Sequence, residues 1–243
     1  MEVTLLGTGS GIPQPGRSQP AVLVRGESPL LLDCGSGTIL RMTQSSVGFE
    51  EIGTVLLTHL HLDHVSDLIA LANARYLSGL SELEIHGPEG TYSWWRTLHE
   101  AYPYLERMSA VVHELQPGDH LEVRGFSVLA ERASHSVTAL AFRLEQKGRS
   151  VVYSGDTEPS PDVAALAEGA DLLIHECSFP EPFKVTNHST PMCLGEVLGD
   201  VGRVVLTHFY PQAGGHESEM ARQVEEVSGL PTRPGFDLMR LSV

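Results

Sequence analysis

The chain of 243 residues is 41% hydrophobic, enough to bury a sizeable core, and at this length a single domain over residues 1–243 is expected. Asp and Glu number 31 against 16 Lys and Arg, and the formal charge of -15 disfavours a nucleic-acid backbone as partner unless basic residues gather on one face. No apolar run is long enough to span a bilayer, no basic segment precedes the apolar N-terminal residues, and Cys34, Cys177 and Cys193 form no CxxC pair. A soluble, cytoplasmic protein without disulfides or a cysteine zinc site is therefore expected.

Along the chain, short apolar runs end in polar, Gly-rich or His-rich loops, often followed by stretches of helical length, the pattern of mixed α/β architecture. The first run leads into Gly7-Thr8-Gly9-Ser10-Gly11. Pro13, Pro15 and Gly16 exclude the helix that a nucleotide-binding fingerprint needs, so these glycines read as a tight loop passing close to a site or a neighbouring strand. Val55–Thr58 runs into a histidine cluster. Residues 89–100 have the pattern of a surface helix with an acidic start, and Trp94, Trp95, Tyr102 and Tyr104 read as core packing, with a pocket lining or a dimer interface as the alternative.

Residues 115–145 alternate between turns at Pro117-Gly118-Asp119 and Lys147-Gly148, which predicts antiparallel strands. Val151–Ser154 then runs into Gly155-Asp156-Thr157, Asp171–Ile174 into His175-Glu176-Cys177, and Val204–Thr207 into His208. Residues 217–227 close the pattern with a second surface helix. Strands that release polar residues at their C-terminal ends are how an α/β sheet builds a site, so four such ends are expected to share one mouth.

His59, His61, Asp63 and His64 fall within six residues directly after a strand. Neutral imidazole and carboxylate are the donors of catalytic zinc sites, and an extended run sets His59 and His61 on one side, so two adjoining metal sites are expected. His175 should point to the far face of its strand and is read as structural. His86, His99, His113, His120 and His216 show no ligand pattern in the sequence.

His59-Leu60-His61-Leu62-Asp63-His64 matches the HxHxDH motif and resembles the metallo-β-lactamase superfamily over nearly the whole chain, most closely the branch that contains RNase Z and related phosphodiesterases. Supporting segments are Leu6-Gly7-Thr8-Gly9, Leu32-Asp33-Cys34-Gly35, His86-Gly87-Pro88, Tyr153-Ser154-Gly155-Asp156-Thr157 and His188-Ser189-Thr190. The resemblance implies a four-layer αββα sandwich with metals at one edge. It implies that His59, His61 and His135 hold one ion, that Asp63, His64 and His208 hold the other, and that Asp156 bridges them. Zinc is the first choice of ion, with manganese or iron also suited. It further implies Glu176 paired with His188 as the proton donor to a leaving oxygen, Asp63 as an orienting group for a metal-held hydroxide, and a homodimer.

One departure bears on substrate. The bacterial endonuclease carries a long basic arm between the positions of His135 and Asp156, which grips transfer RNA; here residues 137–154 fit only a hairpin. A small or cyclic phosphodiester is therefore the first expectation. RNA 3′-end cleavage is the alternative, requiring a basic strip from residues such as Arg17, Arg25 and Arg41. Hydrolysis of esters, thioesters or lactams, and a non-catalytic metal-binding module, are further alternatives.

Overall fold

The apolar runs become strands wherever both faces can be covered. The computed structural model describes all residues except Ser46, Ser81, Glu82, Ser109 and Lys184, and only the backbone of Glu106. The first half contributes β1 (Glu2–Gly7), β2 (Ala21–Arg25), β3 (Pro29–Leu32), β4 (Thr54–Leu56), β5 (Leu83–Pro88) and β6 (Ala110–Leu115). The second half contributes β7 (His120–Val123), β8 (Phe126–Ala133), β9 (Ala139–Gln146), β10 (Arg149–Tyr153), β11 (Leu172–Glu176), β12 (Val204–Thr207), β13 (Thr232–Pro234) and β14 (Met239–Ser242). Two seven-stranded mixed sheets result, ordered β14-β1-β2-β3-β4-β5-β6 and β13-β12-β11-β10-β9-β8-β7.

Alternation along each strand sorts side chains into separate layers. Leu5, Val24, Leu32 and Leu56 of the first sheet meet Phe126, Val128, Phe142 and Ile174 of the second in a core between the sheets. The opposite face of the first sheet, with Leu31, Val55 and Ile85, packs under α1 (Thr38–Gln44), α2 (Leu62–Val65), α3 (Leu68–Leu77) and α4 (Thr91–Ala101). That of the second, with Val152, Leu173 and Leu206, packs under α5 (Pro161–Ala167), α6 (Pro191–Val197) and α7 (Glu217–Ser228). This is the expected αββα arrangement. No helix among the described residues is long and apolar enough to cross a membrane.

Strands β3 to β6 and β10 to β13 run parallel, so their C-terminal ends lie at one edge of the sandwich. Two glycines let the loops there touch. A Cβ on Gly155 would lie 2.7 Å from Thr58 Cβ, at a φ of +57°, and one on Gly35 would lie 1.9 Å from Asp63 O. The expected hairpin of β9 and β10 turns at Lys147-Gly148, both with positive φ, leaving no arm.

Three local expectations are refined. The histidine run is extended only to His61, the N-cap residue of α2; the helical turn from Leu62 rotates Asp63 and His64 away from His59 and His61. Helix α4 begins at Thr91 with no acidic residue in its first turn, and Glu114 Oε1 of β6 accepts from Gly90 N and Tyr92 N instead. Trp95 is core, whereas Tyr102 and Tyr104 are exposed, because the chain leaves the helix layer after α4.

Phe142 is fully buried between the sheets. Phe142→Ala should cost about 3–5 kcal/mol in urea unfolding; a loss under about 1 kcal/mol would mean that this layer is loosely packed.

Candidate metal centre

The four strand ends meet as expected, joined by the end of β8. His59, His61, Asp63 and His64 follow β4, His135 follows β8, Asp156 follows β10 and His208 follows β12. Their donor atoms form two groups, His59-His61-His135-Asp156 and Asp63-His64-Asp156-His208, each with ligand atoms within 4.8 Å of one another. All seven residues implied as ligands are therefore brought together.

In the first group, His61 Nδ1 lies 3.0 Å from His59 Nε2 and 3.2 Å from His135 Nε2. Asp156 Oδ2 closes it at 3.8 Å from His59 Nε2 and 3.9 Å from His135 Nε2. In the second, Asp156 Oδ1 is 3.2 Å from both His64 Nε2 and His208 Nε2, and Asp63 Oδ2 is 3.3 Å from His208 Nε2. Asp156 thus turns one oxygen to each group.

The far nitrogens of four of the five imidazoles are already committed, and this fixes which of their atoms face inward. His59 Nδ1 meets Thr58 Oγ1 at 3.0 Å, and that hydroxyl itself donates to Asp33. His64 Nδ1 donates to Asp33 Oδ2 at 2.7 Å, and His135 Nδ1 to Asn187 O at 2.8 Å. His208 Nδ1 meets Ser178 Oγ at 3.0 Å. With those N–H groups spent outward, lone pairs of several imidazoles converge on the carboxylates. His64 Nε2 and Asp156 Oδ1 are buried without a hydrogen-bond partner among the described residues. Such orphaned, converging donors of nitrogen and carboxylate type fit two divalent ions, with the residues assigned to each as the resemblance implies.

Protonation follows the same logic. Burial, helped by the neighbouring His64 ring, holds the His59 imidazole well below its ordinary value, and burial also lowers His135 against the pull of Asp156. Burial opposes ionisation of Asp156, but His208 and His64 outweigh it and hold the carboxyl well below its usual range; Asp63 is lowered similarly. His64 is the exception. Burial disfavours its charge, yet Asp156 and Asp33 on its two sides raise it well above the ordinary imidazole value.

Asp33 had no role assigned from sequence. Fully buried at the end of β3, at a φ of 57°, it accepts from Thr58 N, Thr58 Oγ1, His64 Nδ1 and Tyr153 Oη. The sequence signal is a lone carboxylate closing an apolar strand two residues before a glycine. His208 and Asn187 also take positive φ, so three of the non-glycine residues in that region of backbone space serve the centre.

Beside the second group lies the other constellation read from sequence. Glu176 is fully buried, and its Oε1 accepts from His188 Nδ1 at 2.9 Å and from Thr157 N at 3.1 Å. Its Oε2 accepts from Ser178 Oγ and from Ser189 N. His188 stacks on His208, with ring centroids 5.4 Å apart, and its Nε2 is 3.4 Å from Tyr210 Oη. Burial works against a charged His188, but the hydrogen bond and charge of Glu176 raise it above the ordinary value. Tyr210, which sequence reasoning had passed over, is pushed up to about 12 by burial and by Asp156 and Asp63. His175 points away, buried with Nδ1 at 2.7 Å from Glu176 O, as expected of a structural residue.

Two facing groups of imidazole and carboxylate sharing one aspartate, at the edge of an αββα sandwich, define a class of metal-dependent hydrolases. Residues 29–209 match the family model described as a beta-lactamase superfamily domain. A protein named Ribonuclease Z in Mycolicibacterium paratuberculosis is 34% identical over 278 residues, spanning 100% of this chain and 98% of its own. Human tRNase Z, short form, superposes with a TM-score of 0.80 at 29% identity, covering 100% of this chain and 99% of that one. The metallo-beta-lactamase fold protein YhfI from Bacillus subtilis superposes with a TM-score of 0.87 at 24% identity, covering 99% and 98%. The chain belongs to the metallo-β-lactamase superfamily and is related to RNase Z.

Two outcomes follow from the hydrogen bonds around His64. Asp33→Asn should weaken zinc binding at the second group about 10–100-fold in competition with a chromophoric chelator, and unchanged affinity would deny Asp33 its orienting role. His64 ligates only as neutral imidazole, yet its raised value leaves it protonated in the metal-free protein near neutrality. Zinc uptake should therefore expel a proton, and affinity should climb with pH until the raised His64 value is passed. Calorimetry in buffers of different ionisation enthalpy reads this directly; no buffer dependence near neutrality would contradict it.

Proposed function

We propose that the protein is a dinuclear metal phosphodiesterase of the RNase Z type. The observation that carries this reading is the Glu176–His188 pair beside the second ligand group. A phosphodiester releases an oxygen that needs a proton, whereas the metal ligands alone would suit carbonyl substrates equally. Glu176 holds the Nδ1–H of His188, so the transferable proton sits on Nε2, which faces Tyr210 Oη and the active-site mouth. The Oε1 and Oε2 bonds from Thr157, Ser178 and Ser189 fix the carboxylate, and stacking on His208 fixes the ring. Two divalent ions held by His59, His61, His135, Asp156, Asp63, His64 and His208, with zinc the first choice for such donors, would lower the pKa of a bound water and polarise a phosphoryl oxygen. Asp63 orients the attacking water, and His188 protonates the departing oxygen.

Relatives named Ribonuclease Z, aligned end to end, weigh for an RNA 3′ end as substrate. A small phosphodiester is the second reading, and the surface favours it. The β9–β10 hairpin carries no arm, and Arg17, Arg25 and Arg41 pair with Glu217, Glu51 and Asp237 instead of forming a basic strip. A groove of about 600 Å³ beside His135, lined partly by Arg132, Ser134 and Thr138, is large enough for a nucleotide-sized ligand.

Zinc- or manganese-loaded protein should hydrolyse precursor transfer RNA or a small cyclic phosphodiester. His188→Ala should lower kcat about 10²–10⁴-fold on either with its metal content intact. Cleavage of RNA alone selects the first reading and cleavage of the small diester alone the second; turnover of neither, with ester or lactam hydrolysis in their place, would overturn the proposal.

A further inference from the structure

A second cluster of nitrogen and carboxylate donors lies away from the catalytic centre. Leu83 and Ile85 of β5 point into the helix layer, so Glu84 and His86 point to the opposite face, toward the other sheet. The parallel register of β5 and β6 then sets His113 beside His86, on the face where Leu115 joins the core between the sheets. Sequence reading saw no ligand pattern in His86 or His113, because only this pairing brings them together.

The three side chains offer ligand atoms within 4.8 Å of one another. Glu84 Oε1 stands 3.1 Å from His86 Nε2 and 3.7 Å from His113 Nε2, and the two imidazoles stack with centroids 4.6 Å apart. His86 is only 6% exposed, and neither of its ring nitrogens has a hydrogen-bond partner among the described residues. Its Nε2 faces Glu84 Oε1 without hydrogen-bond alignment. Buried polar atoms are almost always satisfied, and an imidazole whose Nδ1 has no partner among the described residues and whose Nε2 has only the Glu84 contact has capacity for a further one. Glu84 is prepared for one: its Oε2 accepts from Thr54 Oγ1, which in turn accepts from Arg124 Nε, and Oε1 is left to the imidazoles.

We propose that Glu84, His86 and His113 form a third metal site, distinct from the catalytic pair, that takes a divalent ion of zinc's class through Glu84 Oε1 and the two Nε2 atoms. Two nitrogens and one carboxylate oxygen are a zinc donor set, and hard oxygen-seeking ions such as magnesium and calcium are disfavoured. Burial lowers the His86 value despite Glu84, so the ring is in the neutral form that ligates. His113 is 47% exposed in its side chain and Glu84 35%, so the site opens to solvent, and the exposed His113 ring is free to tilt until its lone pair meets that of His86. The fourth position would be water. An ion here would clip β6, the edge strand, to β5 through side chains as well as through the ladder.

The test is the zinc content of the full chain, equilibrated with micromolar free zinc and weighed by native mass spectrometry. His113→Ala, at an exposed position, is compared with the wild type, and Glu84→Gln serves as a second variant. Each variant should hold one ion fewer than the wild type and turn over phosphodiester at the same rate. Cobalt-loaded wild type minus cobalt-loaded His113→Ala should leave a visible absorption band. Equal ion counts in wild type and variants, or a third ion that binds only at millimolar zinc, would overturn the proposal.

Discussion

Everything at the active-site edge is organised around one buried carboxylate. Asp156 is 2% exposed, with four imidazole nitrogens near it and one oxygen without an aligned hydrogen bond among the described residues. An ionised carboxylate in that position is tolerated only when cations compensate it. In the metal-free protein the charge on His64 does part of this, held from behind by Asp33. Two metal ions would do it fully, so the same electrostatic need that shifts Asp156 and His64 also gives the centre its affinity for metal. Sheet geometry makes the site rigid: Asp33, Thr58 and Asp156 stand at the ends of strands whose two sheets are bridged here by Tyr153 Oη on Asp33 and by Leu140 N on Thr58 O.

Much of this was legible before the fold. A run with four donors in six residues directly after an apolar strand has few structural explanations, whereas Asp156 and His208 stand at strand ends where ligands converge but are assigned as ligands only through the family resemblance. The Glu176–His188 pairing was visible only through family resemblance, and the structure shows why it is a pair: β11 delivers a fully buried Glu176, and the turn before α6 lays His188 over it. Three things were not legible. The helical turn at Leu62, which separates Asp63 and His64 from the first ligand group, depends on Cys34 N and Gly35 packing beneath it. Asp33 looked like an ordinary strand-end residue because its partners come from the loop after β4, from α2 and from β10. His86 and His113 are neighbours only through strand register, which no local pattern encodes.

The acidic surface and the catalytic edge impose opposite demands on an anionic substrate. The centre itself concentrates Asp63, Asp156 and Glu176, and metal ions are what reverse its sign. The flanking grooves differ in character. That beside His135 includes Arg132 and Glu89, whereas that beside His188 is lined by Glu158, Glu181, Pro182, Phe183 and His188 itself.

Because Glu176, His188 and His208 also lie close enough to hold an ion, the decisive measurement is anomalous X-ray scattering at the zinc edge from crystals of the zinc-loaded protein. Two peaks are expected at the catalytic edge, one on each side of Asp156, and none between His188 and His208. A peak on His188 Nε2, in the place of the transferable proton, would remove the acid from the mechanism and contradict the account.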